Sequence, residues 1–310
     1  ITAVNIYQIL PFERDFVQIL FTHRDGVRYV EHCRVVANDK HVSFIMADDV
    51  SEKFFNIPHA NLACLLLGPG TSLTQSAVHK LSEEGVLVGW TGGGGAPLFM
   101  ASQNGYRPTE YFQAWVRLWG LPAKRLEMAK AMQIIRCDLI EKRWRVLSGQ
   151  VADGLFNLRD VESAVQSYRK NIPLATNNEQ LMGYEANLVK AMYKVCAGPT
   201  GLAFSRDPIA DDPLNRFITT GNYMAYGLAA TALWILGIPH AMPVSHGQTR
   251  RGALVFDLAD VIKDAFVLPA AMVSACHYEK PAIFRGRLSD SFHQQEALRI
   301  LIETIKGLCK

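Results

Sequence analysis

Over the first hundred residues the apolar positions come in short runs rich in Val, Ile, Phe and Leu, each closed by turn-forming residues, a pattern of strands. Phe16–Phe21, Gly26–Val36, His41–Ala47, Asn61–Leu67 and Gly85–Trp90 are the predicted strands, parted by signals such as Arg24-Asp25-Gly26 and Asn38-Asp39. One helix interrupts them, Thr71–Glu84, with Thr71 or Ser72 as its cap and a Leu73, Ala77, Leu81 stripe. After Pro108 the spacing turns helical and stays so. Helices are predicted at Ala123–Leu147, Asp160–Lys170, Asn178–Cys196, Pro213–Leu236, Ala253–Phe266 and Ser291–Leu308, with a Pro-, Asp- and Gly-rich loop over Gly198–Pro213. The fold class expected is α+β: a mostly antiparallel β-domain over 1–104, then an all-α domain over 105–310, with the boundary near residues 101 to 107.

Composition changes this picture little. A chain of 310 residues with 49% hydrophobic and 20% charged residues can bury a core large enough for two domains. The net charge is +3 but unevenly spread, with 7 Lys+Arg against 10 Asp+Glu in residues 1–100 and 25 against 19 in residues 101–310. The second part is therefore the candidate polyanion-binding half. Its helix Ala123–Leu147 sets Lys124, Arg125, Lys130, Arg136, Lys142, Arg143 and Arg145 against an apolar stripe, either as a solvated face or as a DNA track. Six cysteines without a C-x-x-C pair exclude a zinc cage and a disulfide framework, and a reducing cytoplasm is expected. The most apolar run, Met224–Ile238, is too short to span a bilayer, so no membrane role is expected. No signal peptide is read at the start; because the chain does not begin with Met, native residues are expected to be missing there. The Gly92–Gly95 run lacks the Lys-Ser or Lys-Thr of a phosphate loop and is read as a turn.

Candidate chemistry gathers in Pro243–Phe266. Asp257, Asp260 and Asp264 stand at i, i+3 and i+7 and share one helical face, where like charges repel unless a cation or solvent offsets them. His246 precedes that helix by a turn. Three carboxylates and an imidazole suit Mg²⁺ or Mn²⁺, the histidine favouring Mn²⁺. The alternative, an amphipathic helix with its aspartates in water, stays open at this point. Glu185 lies on the apolar stripe of Asn178–Cys196, among Leu181, Met182, Leu188, Val189 and Met192. A carboxylate there needs either a metal or an arginine such as Arg216 or Arg250.

The stretches Gly68–Phe99, GYEANLVKAMYK, Asn215–Leu228 and PVSHGQTRRGALVFDLADVIKD together resemble the CRISPR-associated adaptation endonuclease, the spacer integrase known as CRISPR-associated protein one, in its type I-F branch. The resemblance implies that Glu185, His246 and Asp260 are the catalytic metal ligands, with Asp257 a further carboxylate of the metal site that either binds the ion directly or supports a residue that does, Mn²⁺ or Mg²⁺ being the cofactor. It implies a cytoplasmic homodimer whose β-domain supplies much of the dimer contact. Its partners would be DNA (prespacer and CRISPR repeat or leader) and a second adaptation protein fused to the interference helicase-nuclease. The implied reaction is a transesterification in which a 3′-hydroxyl attacks a phosphodiester. Asp264 carries no role from the family and is expected to be an exposed acid. Arg250, Arg251, Lys190, Lys194 and Tyr184 are candidate DNA contacts, with Tyr223 a possible stacking residue that core packing would equally explain. Asn215 and Asn222 are expected to serve packing or caps, and His240 and His277 are expected to be structural. Two other classes compete: a non-catalytic DNA-binding scaffold with a vestigial acidic site, and a hydrolase of small phosphate esters.

Overall fold

The computed structural model describes residues 26–38, 41–47, 52–57, 62–91, 97–101, 109–150, 155–200, 204–247 and 251–310. The expected strand Phe16–Phe21, the Gly92–Gly95 turn and Arg250 lie outside them. The strands are β1 (Gly26–Val30), β2 (Arg34–Asn38), β3 (His41–Ala47), β4 (Glu52–Ile57), β5 (Leu62–Leu67), β6 (Ser72–Leu73), β7 (Leu87–Thr91) and β8 (Pro97–Ala101), with α1 (Gln75–Glu83) between β6 and β7. They form two sheets, ordered β1-β5-β7-β8 and β4-β3-β2-β6. The α+β class stands, but the pairing is mixed. β1–β5, β5–β7 and β2–β6 are parallel, while β2–β3, β3–β4 and β7–β8 are antiparallel. The cause is visible in β5, whose six residues are all buried. A continuous apolar run suits a strand covered on both faces, and the α1 crossover from β5 to β7 makes the parallel pair.

Sequence spacing merged some elements and missed others. Gly26–Val36 is two strands, broken where His32 takes a positive φ of 51°. The cap of α1 is Thr74, whose hydroxyl accepts from Ala77 N, so Thr71 and Ser72 precede the helix. β4 and β8 were not predicted.

The change from strand to helix falls between Ala101 and Glu110. Then come α2 (Glu110–Trp119), α3 (Pro122–Gln150), α4 (Leu158–Asn171), α5 (Asn178–Ala197), α6 (Pro213–Ile235), α7 (Ala253–Ile262), α8 (Leu268–Cys276), α9 (Pro281–Gln294) and α10 (Ala297–Leu308). α6 runs through one large core that includes Trp115, Trp144, Phe217, Leu233, Phe266 and Leu301. Among the described residues no helix is long and apolar enough to cross a membrane.

α7 and α8 are one rod joined by a π turn, Lys263–Val267. Pro269 accounts for it: proline cannot donate to the carbonyl four residues back, and its ring crowds that carbonyl. Trp144 Nε1 donates to the Asp264 carbonyl at 2.8 Å inside the wide turn. α6 passes this turn at Gly221, where a Cβ would come within 2.5 Å of Val267 Cγ1 and 3.1 Å of Leu288 and Phe284. The helical half meets the sheets through Arg285 on α9, 3.4 Å from Glu31, which also accepts from Tyr29 Oη at 2.7 Å.

The crossing at Gly221 leaves no room for a side chain. Gly221→Val is therefore expected to destabilise the protein by about 1–3 kcal/mol or more, and a denaturation midpoint equal to wild type would show that the crossing is looser than described.

Candidate metal centre

All three aspartates of the acidic helix are buried, Asp257 at 3%, Asp260 at 5% and Asp264 at 4% exposure. The solvated-face alternative is thereby removed, and the expectation of an exposed Asp264 is corrected. Each carboxylate has its own partner. Asp264 Oδ2 accepts from Arg136 Nε at 2.8 Å and from Arg136 Nη2. Arg136 Nη1 donates to Glu185 Oε1 at 2.6 Å and to Gln133 Oε1 at 3.1 Å. Arg136 is 2% exposed, so it belongs to the core and not to the solvated or DNA-tracking face expected of it. A guanidinium can be buried there because two carboxylates and an amide satisfy its donors. Glu185 thus does have an arginine, Arg136; of the two suggested by sequence, Arg216 pairs with Asp211 on the surface and Arg250 lies outside the described residues.

Asp257 holds the loop that carries His246. Its Oδ2 accepts from Val244 N at 2.6 Å and Ser245 N at 3.1 Å, and its Oδ1 from His246 N at 2.9 Å. His246 Nδ1 lies 2.6 Å from the same Oδ1. Four contacts use the lone pairs of one carboxylate, so in this arrangement Asp257 supports the histidine, one of the two roles the sequence reading left open for it. A carboxylate can only accept, so Nδ1 donates to it, and Nε2 is the nitrogen that would bind a cation once its own proton is given up. Nε2 faces Asp260 Oδ2 at 3.9 Å.

Asp260 Oδ1 is in contact with the Lys263 ammonium, which also lies 5.4 Å from the centre of the Tyr226 ring. Burial raises the Asp260 carboxyl, but Lys263, Arg136 and His246 outweigh it and hold the group below the usual carboxylate range. Burial also raises Glu185; Arg136 opposes this, Asp260 reinforces it, and the net shift is upward. His246 is lowered by burial but raised on balance by Asp257, Asp260 and Glu185. Glu185, His246 and Asp260 therefore share one electrostatic environment.

Among the described residues no three His, Cys, Asp or Glu side chains stand close enough to hold an ion without adjustment. The donor set nevertheless fits a divalent cation. Four carboxylates (Glu185, Asp257, Asp260 and Asp264) face two fixed side-chain cations (Arg136 and Lys263) and the titratable His246. Two carboxylates and an imidazole are the donor types that suit Mn²⁺ or Mg²⁺.

The remaining candidates divide. Lys190 and Lys194 are exposed and line an open cleft of about 780 Å³ with Tyr193, Phe204 and Arg206. Arg251 is exposed beside the start of α7. Tyr184 packs against the helical core. Tyr223 is 45% exposed and begins an aromatic series through Tyr226 and Phe256 to His246, with centroid spacings of 5.8, 4.7 and 6.1 Å. Asn215 serves packing, one of the two roles expected of it: Asp212 is the cap of α6 and its Oδ1 accepts from Asn215 N at 3.0 Å, while the buried Asn215 side chain engages Arg206 and Ser205. Sequence reasoning missed Arg136, Lys263 and Arg206. Arg136 was findable, since it falls four residues after Met132 and four before Ile140 on the buried stripe of α3.

A family profile described as "CRISPR associated protein Cas1" matches residues 31–306. The chain is 41% identical to a CRISPR-associated endonuclease Cas1 of Pseudomonas aeruginosa, over 94% of this chain and 95% of the relative. It is 38% identical to one of Pectobacterium atrosepticum, over 95% of each. In structure it is similar to a TtCas1–DNA complex, with a TM-score of 0.70 and 26% identity over 92% of this chain and 91% of the other. It also shares the fold of a casposase bound to integration product, at a TM-score of 0.68 and 14% identity over 91% and 90%.

Removing the buried guanidinium leaves two carboxylates uncompensated. Arg136→Met is expected to lower stability by about 3–5 kcal/mol in chemical denaturation, and adding Asp264→Leu to restore part of it. A double variant no more stable than the single one would contradict this account.

Proposed function

The chain belongs to the Cas1 family of CRISPR-associated proteins, and on that premise we propose that it is a divalent-metal-dependent DNA integrase and endonuclease. Its relatives at 41% and 38% identity fit the type I-F branch that its motifs resemble. One observation supports the proposal: Glu185 from α5, His246 from the loop before α7 and Asp260 from α7, far apart in sequence, interact electrostatically in one acidic cluster, with His246 Nε2 3.9 Å from Asp260 Oδ2. These three side chains would hold Mn²⁺ or Mg²⁺, with Asp257 keeping His246 in place. When bound, such an ion polarises a phosphoryl oxygen and favours deprotonation of the attacking hydroxyl.

In the proposed reaction the 3′-hydroxyl of a captured DNA attacks a backbone phosphorus of the CRISPR array. The hydroxyl gives up its proton, a new P–O bond forms, and the bond to the existing 3′-oxygen breaks. Water in place of the hydroxyl gives hydrolysis at the same site. Lys190, Lys194 and Arg206, which line the open cleft, and Arg251 at the start of α7 would supply positive charge for the DNA backbone. A neighbouring structure of a DNA complex of TtCas1, and another of a Cas6-RT-Cas1–Cas2 complex, support DNA and a second adaptation protein as partners. Fusion of that partner to the interference helicase-nuclease belongs to the same reading. So do residence in the cytoplasm and a homodimer built on the β-domain, where Phe54 and Met46 expose apolar surface.

A second reading, a DNA-binding scaffold without catalysis, draws on Lys263 and Arg136, which already pair with Asp260 and Glu185. Strand transfer in Mn²⁺ separates the two. His246→Ala and Asp260→Ala, like EDTA, are expected to reduce it to background while the oligomeric state and DNA binding persist. Full activity in either variant would remove the site, and metal-independent binding without product from the wild type would favour the scaffold. Lys190→Ala and Lys194→Ala are expected to weaken binding similarly for all DNA sequences. Each should reduce the slope of log affinity against log salt by about 1; unchanged slopes would place the DNA elsewhere.

A further inference from the structure

His246 sits on a stretch, residues 242–246, with no regular secondary structure, yet its backbone is engaged from both sides. Asp257 takes the amides of Val244, Ser245 and His246. The carbonyls are met by three donors from other elements. Trp115 Nε1 donates to Met242 O at 3.3 Å, Trp119 Nε1 to Pro243 O at 2.7 Å, and Asn178 Nδ2 to Val244 O at 2.6 Å. Trp115 and Trp119 are one helical turn apart on α2, so their indole N–H groups reach successive carbonyls. Trp119 is held in turn by the Arg125 guanidinium, 5.2 Å from its ring centre. Asn178 opens α5, the helix that carries Glu185.

We propose that Trp119 and Asn178 are positioning residues for His246, fixing the carbonyl edge of the 242–246 loop so that Nε2 is presented beside Asp260. The amide edge alone leaves the loop free to pivot about the Asp257 carboxylate. Donors on the opposite edge remove that freedom, and they come from both α2 and the helix of a second metal-binding residue. Neither side chain touches the reacting groups. Their effect passes through the loop, as that of outer partners on a metal ligand does.

The proposal rests on the metal reading for its functional consequence but not for its structural claim, so two measurements are paired. Amide hydrogen exchange in the full-length protein reports the loop directly. Trp119→Phe, which keeps the ring and loses the N–H, is expected to speed exchange of Val244, Ser245 and His246 about fivefold. Asn178→Ala is expected to do the same, and it leaves the Asn177 cap of α5 in place. Titration with Mn²⁺ is expected to show affinity weakened about 10–100-fold in both variants. Leu81→Ala, a buried change in α1 of the β-sheets, serves as the control for general loss of stability and should alter neither readout. Wild-type exchange in both variants, or the same acceleration in the control, would overturn the proposal. So would faster exchange with unchanged Mn²⁺ affinity. If the wild type binds no Mn²⁺, the metal reading fails, and the exchange measurement alone decides whether the loop is held as proposed.

Discussion

A guanidinium sealed inside a helical core governs the arrangement of this half of the protein. Arg136 cannot lose its proton and cannot reach water, so the chain must bring carboxylates to it. It obtains one from α5 and one from the π turn, and in doing so ties α3, α5 and the α7–α8 rod together at one point. The ion pair is less a source of net stability than a specification of geometry, because desolvation consumes much of its Coulombic gain. What it specifies is where Glu185 points.

Charge accounting links this arrangement to chemistry. Asp257 is engaged with backbone amides and the imidazole, Asp264 with Arg136, and Asp260 with Lys263. Glu185 shares the guanidinium with Asp264. Within the cluster the carboxylates thus outnumber the fixed cations. The opposite shifts of Glu185 and Asp260 express that imbalance: burial prevails at one, neighbouring cations at the other. Such an environment favours an added divalent cation more than a ring of exposed acids would, because little water is present to screen it.

Much of the fold and part of the site could be read from the sequence. The change from strand to helix, the long helices and the inward position of Glu185 followed from periodicity alone. The motif resemblance singled out Glu185, His246 and Asp260, which interact electrostatically in the structure. The short strands β4 and β8 escaped because their runs alternate weakly, and the parallel pairing escaped because β5 is buried on both faces. Arg136 was read as a surface residue because its charge was allowed to outweigh its place on the stripe. Asp264 was misplaced, and the role of Asp257 left open, for a different reason: helical spacing shows which residues share a face but not what approaches that face. Here a loop meets Asp257 and another helix meets Asp264.

The wide turn at Lys263–Val267 has a further effect on how the rod can vary. It takes up one residue more than ordinary helical winding, so side chains before and after it are out of phase by about 100° relative to an uninterrupted helix. Upstream, the rod carries Asp257 and Asp260 of the acidic cluster; downstream, Leu268 and Met272 belong to the large apolar core, where Cys196 Sγ meets the Leu268 carbonyl. Deleting a single residue here would rotate one of these halves against its surroundings, making the turn far less tolerant of length changes than a surface loop. The turn works as a phase adjuster that lets one continuous rod satisfy two neighbourhoods with different demands.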